Sequence, residues 1–229
     1  AGPFAGKFFT DFGADVIKVE PPGGADGKGG DPIRYWRKLH EGTSLWWHVQ
    51  SRGKKSVVLD LRSKAGQATA RALALEADIV IENFRPGTLE KWGLGYEALS
   101  ALNPRLIMLR ISGFGQSGPM RDQAGFGAIA ESMGGMRYIT GYPDRAPVRV
   151  GISIGDSLAA MYGAMGALMA LHHRHATGKG QVVDVALYEA VFSMMESMLP
   201  EFGMSGFVRE RTGASLPGIV PSNTYVCGD

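Results

Sequence analysis

The chain has 229 residues and a mass of 24.5 kDa, enough for one large domain or one and a half ordinary ones. Twenty-four Lys and Arg against 22 Asp and Glu leave a formal charge of +2, and 45% of the residues are apolar. That balance excludes a nucleic-acid binder relying on bulk positive charge, and it excludes a disordered chain. A single cysteine, Cys227, excludes an internal disulfide framework and a Cys-rich metal site, and it points to a reducing, cytoplasmic compartment. Glycine is over-used, at 33 residues, with no collagen-like period. The excess is expected in turns, close backbone contacts and helix-packing faces.

In chain order, residues 8–14 read as a helix end closed by Gly13, and 15–20 (DVIKVE) as a strand. A glycine-loaded loop at 21–32 leads into an aromatic stretch with Trp36, Trp46 and Trp47. A strand at 56–61, a helix at 63–76 and a strand at 77–82 follow. Helices at 87–92 and 96–102 precede a strand at 105–111. Strands separated by helical segments imply parallel pairing through right-handed crossovers, hence an α/β doubly wound, mostly parallel sheet. The second half is more helical: 125–133, an Ala/Gly-rich helix at 156–175, a strand at 182–186 and a helix at 188–198. The chain then turns irregular, with a final strand expected at 224–226. The longest apolar run, 157–171, has 15 residues, short of the ~18–20 that span a bilayer. AGPFAGKFF at the start carries no secretory pattern. With no initial Met and a last tripeptide, Cys227-Gly228-Asp229, that resembles the middle of a hairpin turn, the sequence is expected to belong to a longer polypeptide.

Four patterns bear on chemistry. Gly113, Gly115 and Gly118 have the spacing of a dinucleotide-binding loop after a strand. Pro119 and a polar MRDQ follow where an apolar helix should, so a plain glycine loop is favoured. Gly151, Ser153 and Gly155 fit a nucleophile elbow, but the apolar run before them is short and interrupted by Arg149, and no His follows His175. His172, His173 and His175 splay within one helical turn with no carboxylate at helical spacing, which favours a cationic helix end over a metal site. Asp156 stands alone among small and apolar residues at the start of a helix. Two readings are open there: a helix N-cap, the commonest use of Asp, or a carboxylate nucleophile whose charge the helix end stabilises.

Seven blocks stand in order: AGP at 1–3, GADVIKVE at 13–20, KKSVVLDL at 54–61, ENFRPGTLEKWGLGY at 82–96, SGFGQSGP at 112–119, IGDSLAAMYGAMGALMAL at 154–171 and TGKGQVVDVALYEAV at 177–191. Together they resemble the class III CoA-transferases, the formyl-CoA-transferase-like family, along essentially the whole chain. The resemblance implies a Rossmann-like large CoA-binding domain over 1–200, a linker and the start of a smaller second domain over 201–229, and two interlocked subunits. It implies coenzyme A thioesters and a small carboxylic acid as substrates, no permanently bound cofactor or metal, and no nucleic-acid or membrane partner. It puts the catalytic aspartate at Asp156, which would attack the donor thioester and carry acyl-anhydride and CoA-thioester intermediates.

The same resemblance matches CoA contacts to Ala1, to Leu59, Asp60, Leu61 and Arg62, to Asn83, Phe84 and Arg85, to Lys91, and to Gly125 and Phe126. Arg62 and Lys91 suit phosphates. Pro21 departs from the pattern, standing where formyl-CoA transferase has an arginine near the adenine. A racemase branch of the superfamily, typified by α-methylacyl-CoA racemase, carries a histidine base where this sequence has Phe126, so transferase is favoured over racemase. A catalytically silent CoA-binding subunit is the other alternative. Arg149 and Arg137 are candidates for holding the second carboxylate of a diacid.

Overall fold

A computed structural model describes residues 1–25 and 27–228. Helix α1 (Gly2–Asp11) carries Pro3 in its first turn, where a missing N–H costs no intrahelical bond. Gly13, at φ 91°, turns the chain into β1 (Ile17–Glu20). A 3-10 turn (Pro32–Tyr35) is capped by Asp31, whose carboxylate accepts from the Ile33 N–H. The two-residue strands β2 (Leu39–His40) and β3 (Thr43–Ser44) form a hairpin turned by Glu41 and Gly42, both at positive φ, as a tight hairpin turn requires. Ser44 then caps α2 (Leu45–Ser51), accepting from the Trp46 and Trp47 N–H groups. After β4 (Lys55–Val58), Ser63 caps α3 (Lys64–Glu76) in the same way. Next come β5 (Ile79–Glu82), the short helices α4 (Thr88–Lys91) and α5 (Tyr96–Ser100), and β6 (Ile107–Ser112). The second half holds α6 (Gly127–Met133), α7 (Met136–Ile139), α8 (Ile154–Thr177), β7 (Val182–Ala186), α9 (Leu187–Phe192) and α10 (Met198–Ser205).

Pairing is parallel throughout the two larger ladders, β1 with β4 and β5 with β6 with β7. All six residues of β6 are buried, as a central parallel strand covered on both faces must be. Its alternating side chains feed two cores. Met108 packs with Ala74 of α3, Leu89 of α4, Leu99 of α5 and Leu94 from the turn between the last two. Leu109 and Ile111 point the other way, onto Ala5, Ala130, Ala159, Ala160 and Val191 from α1, α6, α8 and α9. Helices on both faces of one parallel sheet make the doubly wound arrangement expected from the sequence.

Several details differ from expectation. The aromatic stretch folds as the β2–β3 hairpin and α2, where Trp47 is buried beneath the Arg34 guanidinium at 3.8 Å. The helix expected at 188–198 ends at Phe192; Glu196, at φ 48°, breaks the path before α10 begins. Residues 224–226 form no strand, because Tyr225 and Val226 lie exposed with no neighbouring strand to pair with. Helix α8 has 24 residues, so counting one uninterrupted apolar run understated it; by length and composition it is long and apolar enough to cross a membrane. Its buried row is Gly155, Ala159, Gly163, Ala167 and Ala170; Gly155 faces α6 and α9, and Gly163 faces β6. A Cβ at Gly163 would meet Leu109 Cδ1 at 2.9 Å, so glycine sets how closely helix and sheet approach.

Candidate active site

In open α/β sheets, ligands bind outside the carboxyl ends of the strands. A cavity of about 230 Å³ lies there. Residues 83–86 leave β5 to form one wall, Ser112 and Gly113 leave β6 to form another, and residues 123–126 approach α6 to form a third. Ala1, Asp156 and Leu187, at the starts of α1, α8 and α9, close the base. Gly113 and Gly125 meet backbone to backbone: a Cβ on Gly113 would sit 2.5 Å from the Gly125 Cα.

Asp156 is not the N-cap of α8. That position belongs to Ser153, which makes no side-chain capping bond, and Asp156 is the third helical residue. Its carboxylate therefore lies over the first turn, where unpaired N–H groups and the helix dipole favour negative charge. Oδ1 accepts from the main-chain nitrogen of Ala1 at 3.2 Å. Oδ2 faces Gly127 so closely that a Cβ there would be 2.5 Å away. The side chain stays 35% exposed. The carboxylate lines the cavity.

The β5 wall is braced from behind. Arg110 on β6 donates through Nε to Glu82 Oε1 at 2.7 Å and through Nη1 and Nη2 to both oxygens of Glu90, at 2.7 and 3.2 Å. Glu82 Oε2 accepts from the Phe84 N–H at 2.8 Å, holding the turn that presents Asn83, Phe84 and Arg85. Burial pushes the Glu82 carboxyl up, against the pull of Arg110 and the Phe84 N–H. Hydrogen bonding to Arg110 holds the Glu90 carboxyl down. Phe84 stands edge-on to Trp92, ring centroids 5.4 Å apart.

Seven of the sequence-derived site residues thus meet around one cavity: Asp156, Ala1, Asn83, Phe84, Arg85, Gly125 and Phe126. Leu59, Asp60, Leu61 and Arg62 do not line it. They form the turn from β4 to α3, where Asp60 Oδ1 accepts from the Arg62 N–H at 3.0 Å and Leu61 packs into the α3–α5 core. Lys91 lies on a wider, shallow cleft of about 650 Å³ beside Lys64, Gln67, Arg71 and Trp92. The chain joins the two regions directly, since residues 83–86 run from the cavity into α4.

The rejected motifs find other uses. Gly113 makes the contact with Gly125, while Gly115 and Gly118 take positive φ at turns. No strand precedes Ser153, so the elbow geometry is missing. Among the described residues, no group of three His, Cys, Asp or Glu could hold a metal ion. Sequence reading missed Glu131, on α6 and 1% exposed, whose carboxylate faces Arg149 at 3.2 Å and Arg137 at 3.5 Å. Its one available signal was the spacing of four from Gly127, which puts both on the same helical face.

Parallel strands opening onto a half-exposed aspartate at a helix start define a class, and the sequence comparison gives it a family. The chain matches the model for CoA-transferase family III over residues 1–229 and belongs to that family. It is 60% identical over 230 residues to the succinyl-CoA–D-citramalate CoA-transferase of Chloroflexus aurantiacus, covering 100% of this chain and 56% of that relative. It is 46% identical over 229 residues to the alpha subunit of the succinyl-CoA–L-malate CoA-transferase of Chloroflexus aurantiacus, covering 98% and 52%. Among solved structures, a CaiB/BaiF family protein from Brucella suis superposes with a TM-score of 0.90 at 39% identity, covering 99% of this chain and 60% of that one. The chain spans a little over half the length of these relatives.

Proposed function

We propose that this protein moves CoA from an acyl-CoA donor to a carboxylic acid, with Asp156 as the nucleophile. The observation that carries the reading is the Asp156 carboxylate itself: part-exposed in the first turn of α8 and facing a cavity walled by Asn83, Phe84 and Arg85. Succinyl-CoA as donor and a small diacid as acceptor are supported by the activities for which the two relatives are named.

In the proposed cycle, Asp156 Oδ2 attacks the donor's thioester carbon. The C–S bond breaks, giving an acyl-aspartyl anhydride and CoA thiolate. The thiolate attacks the aspartyl carbonyl, releasing the donor acid as its carboxylate and leaving an aspartyl-CoA thioester. The acceptor carboxylate attacks that thioester, again freeing thiolate and forming a new anhydride. Thiolate attack on the acceptor's acyl carbon then releases the new acyl-CoA and restores Asp156. Each activated acyl group passes to the next, so no ATP is consumed.

A racemase reading gains no support, because Phe126 puts a ring with no titratable group on the cavity wall. The interlocked homodimer implied by the resemblance is supported by the exposed row Met161, Met165, Leu168 and Met169 along α8, a face suited to cover by a second copy.

Asp156→Ala tests the proposal. Transfer from succinyl-CoA to a panel of acids should disappear while circular dichroism stays unchanged, and hydroxylamine should convert Asp156 to a hydroxamate in wild type given acyl-CoA. A variant retaining transfer within ~10-fold of wild type would remove Asp156 from the nucleophile's role.

A further inference from the structure

A buried carboxylate is retained only with partners, and Glu131 has two. Its Oε1 accepts from Arg149 Nη2 at 3.2 Å, and its Oε2 lies 3.5 Å from Arg137 Nε. Neither Oε2 nor Arg137 Nε completes a hydrogen bond, so the pair stands poised but not closed. Arg149 makes no other hydrogen bond among the described residues, and its side chain is 46% exposed. One guanidinium is thus fixed at one corner by a buried acid and left with free N–H groups outward.

This cluster lies beside the nucleophile. The Cβ position of Gly127 is 2.5 Å from Asp156 Oδ2 and 4.0 Å from Glu131 Oε1, so those two oxygens are separated by no more than the sum, about 6.5 Å. Arg149 Nη2 lies 3.2 Å beyond Glu131, within about 10 Å of Asp156. A third guanidinium, Arg37, reaches Ser153 Oγ at 3.4 Å, stacks 4.2 Å over the Trp46 ring and holds a left-handed φ of 61°. Such backbone strain persists only where surrounding contacts enforce it. Two guanidiniums, Arg137 and Arg149, face the single carboxylate of Glu131, which leaves one positive charge unmatched there.

We propose that Arg149, oriented by Glu131 and Arg137, receives the far carboxylate of a dicarboxylic acid while the near carboxylate exchanges CoA at Asp156. This rests on the transferase reading above. The reach fits: three C–C bonds of ~1.5 Å hold the carboxyls of a four-carbon diacid roughly 4 Å apart, and hydrogen-bond distances at either end bring the span to about 10 Å. A charge-assisted bond to a guanidinium accounts for selection of diacids over monoacids of equal length.

The experiment compares succinate with butyrate as acceptors from a donor with no far carboxylate, acetyl-CoA, using the full chain as wild type, Arg149→Gln and Arg149→Lys. Arg149→Gln should lower kcat/KM for succinate roughly 10- to 100-fold and leave butyrate within about 2-fold, and Arg149→Lys should recover part of the loss. Succinate should also shield Arg149 of the wild type from phenylglyoxal, read by peptide mass spectrometry, while butyrate does not. Equal loss on both acids would make Arg149 structural and overturn the inference, as would unchanged succinate use or absence of shielding. A wild type that transfers CoA to no acid yet shows succinate-specific shielding of Arg149 would overturn the transferase reading alone.

Discussion

The two ends of α8 differ in what they leave unpaired. At the carboxyl end the Arg174 side chain is 6% exposed; its Nη2 donates to Asp78 Oδ1 at 2.7 Å, and Nη1 donates to the Asp78 and Arg105 carbonyls at 3.3 and 3.2 Å. Gly178, at φ 76°, turns the chain out and returns its N–H to the Arg174 carbonyl at 2.8 Å. At the amino end no side chain caps the helix, Asp156 has a single hydrogen-bond partner among the described residues, and Glu131 faces Arg137 without closing a bond. One end is tied to the β5–β6 edge by three Arg174 hydrogen bonds, with only Arg174 Nε left without a partner. The other keeps polar groups available, the usual sign of a site where a ligand completes the set.

Substitutions sharpen that contrast. Gly127→Ala adds one methyl at a helical position where alanine is otherwise favoured, yet its Cβ would stand 2.5 Å from Asp156 Oδ2. Displacing the carboxylate by about 1 Å should cost ~10²-fold in kcat for CoA transfer, with the unfolding temperature nearly unchanged. Gly166→Ala is the counterpart, since its Cβ would lie 2.7 Å from Val183 Cγ1; stability should fall and kcat should hold. If both variants lose activity and stability in parallel, the two ends are not separable as described.

Arg174→Ala strands two carbonyls and should lower unfolding free energy by about 2–4 kcal/mol in urea titration, with transfer per folded molecule within 2-fold of wild type. Glu20 tests the same logic on β1. Burial pushes its carboxyl up, but bonds from Arg34, Ser56 and the Asp31 N–H outweigh that and hold it at about 2 against a usual 4.5. The folded value is the lower one, so its stabilisation is complete above pH 4.5 and is lost as pH falls from there toward 2. Unfolding free energy should drop by roughly 2 kcal/mol across that window in wild type, and less steeply in Glu20→Gln. The smallest effect is expected at Lys91, exposed beside the second cleft: Lys91→Ala should weaken CoA binding only about 3- to 10-fold and flatten its salt dependence, measured by calorimetry.

What the sequence made legible follows from the range of each signal. Alternation, caps and glycine punctuation are local, so the strands and the Ala/Gly helix could be read to within a few residues. Asp156 was visible because a lone carboxylate among small residues is conspicuous in one dimension. Its exact role at the helix end was not, since the helix starts two residues earlier, at Ile154, where Gly155 packs against Gly127 and Val191. Glu131 stayed hidden for a related reason: its partners lie 6 and 18 positions away across a turn-rich stretch with no periodicity to follow. The split between Arg62, Lys91 and the Asp156 cavity is likewise a tertiary fact, set by where α3 and α4 dock.

Asp156 also stands one residue from the helical row that rests on the sheet, so the carboxylate has no hinge of its own. Heating a loop-borne nucleophile can silence an active site well before the core gives way. Here the buried stripe and the Asp156 carboxylate share one helix, from Gly155 through Ala159, Gly163 and Ala167. With Asp156 in the role proposed above, warm inactivation is expected to track melting of the sheet-facing core.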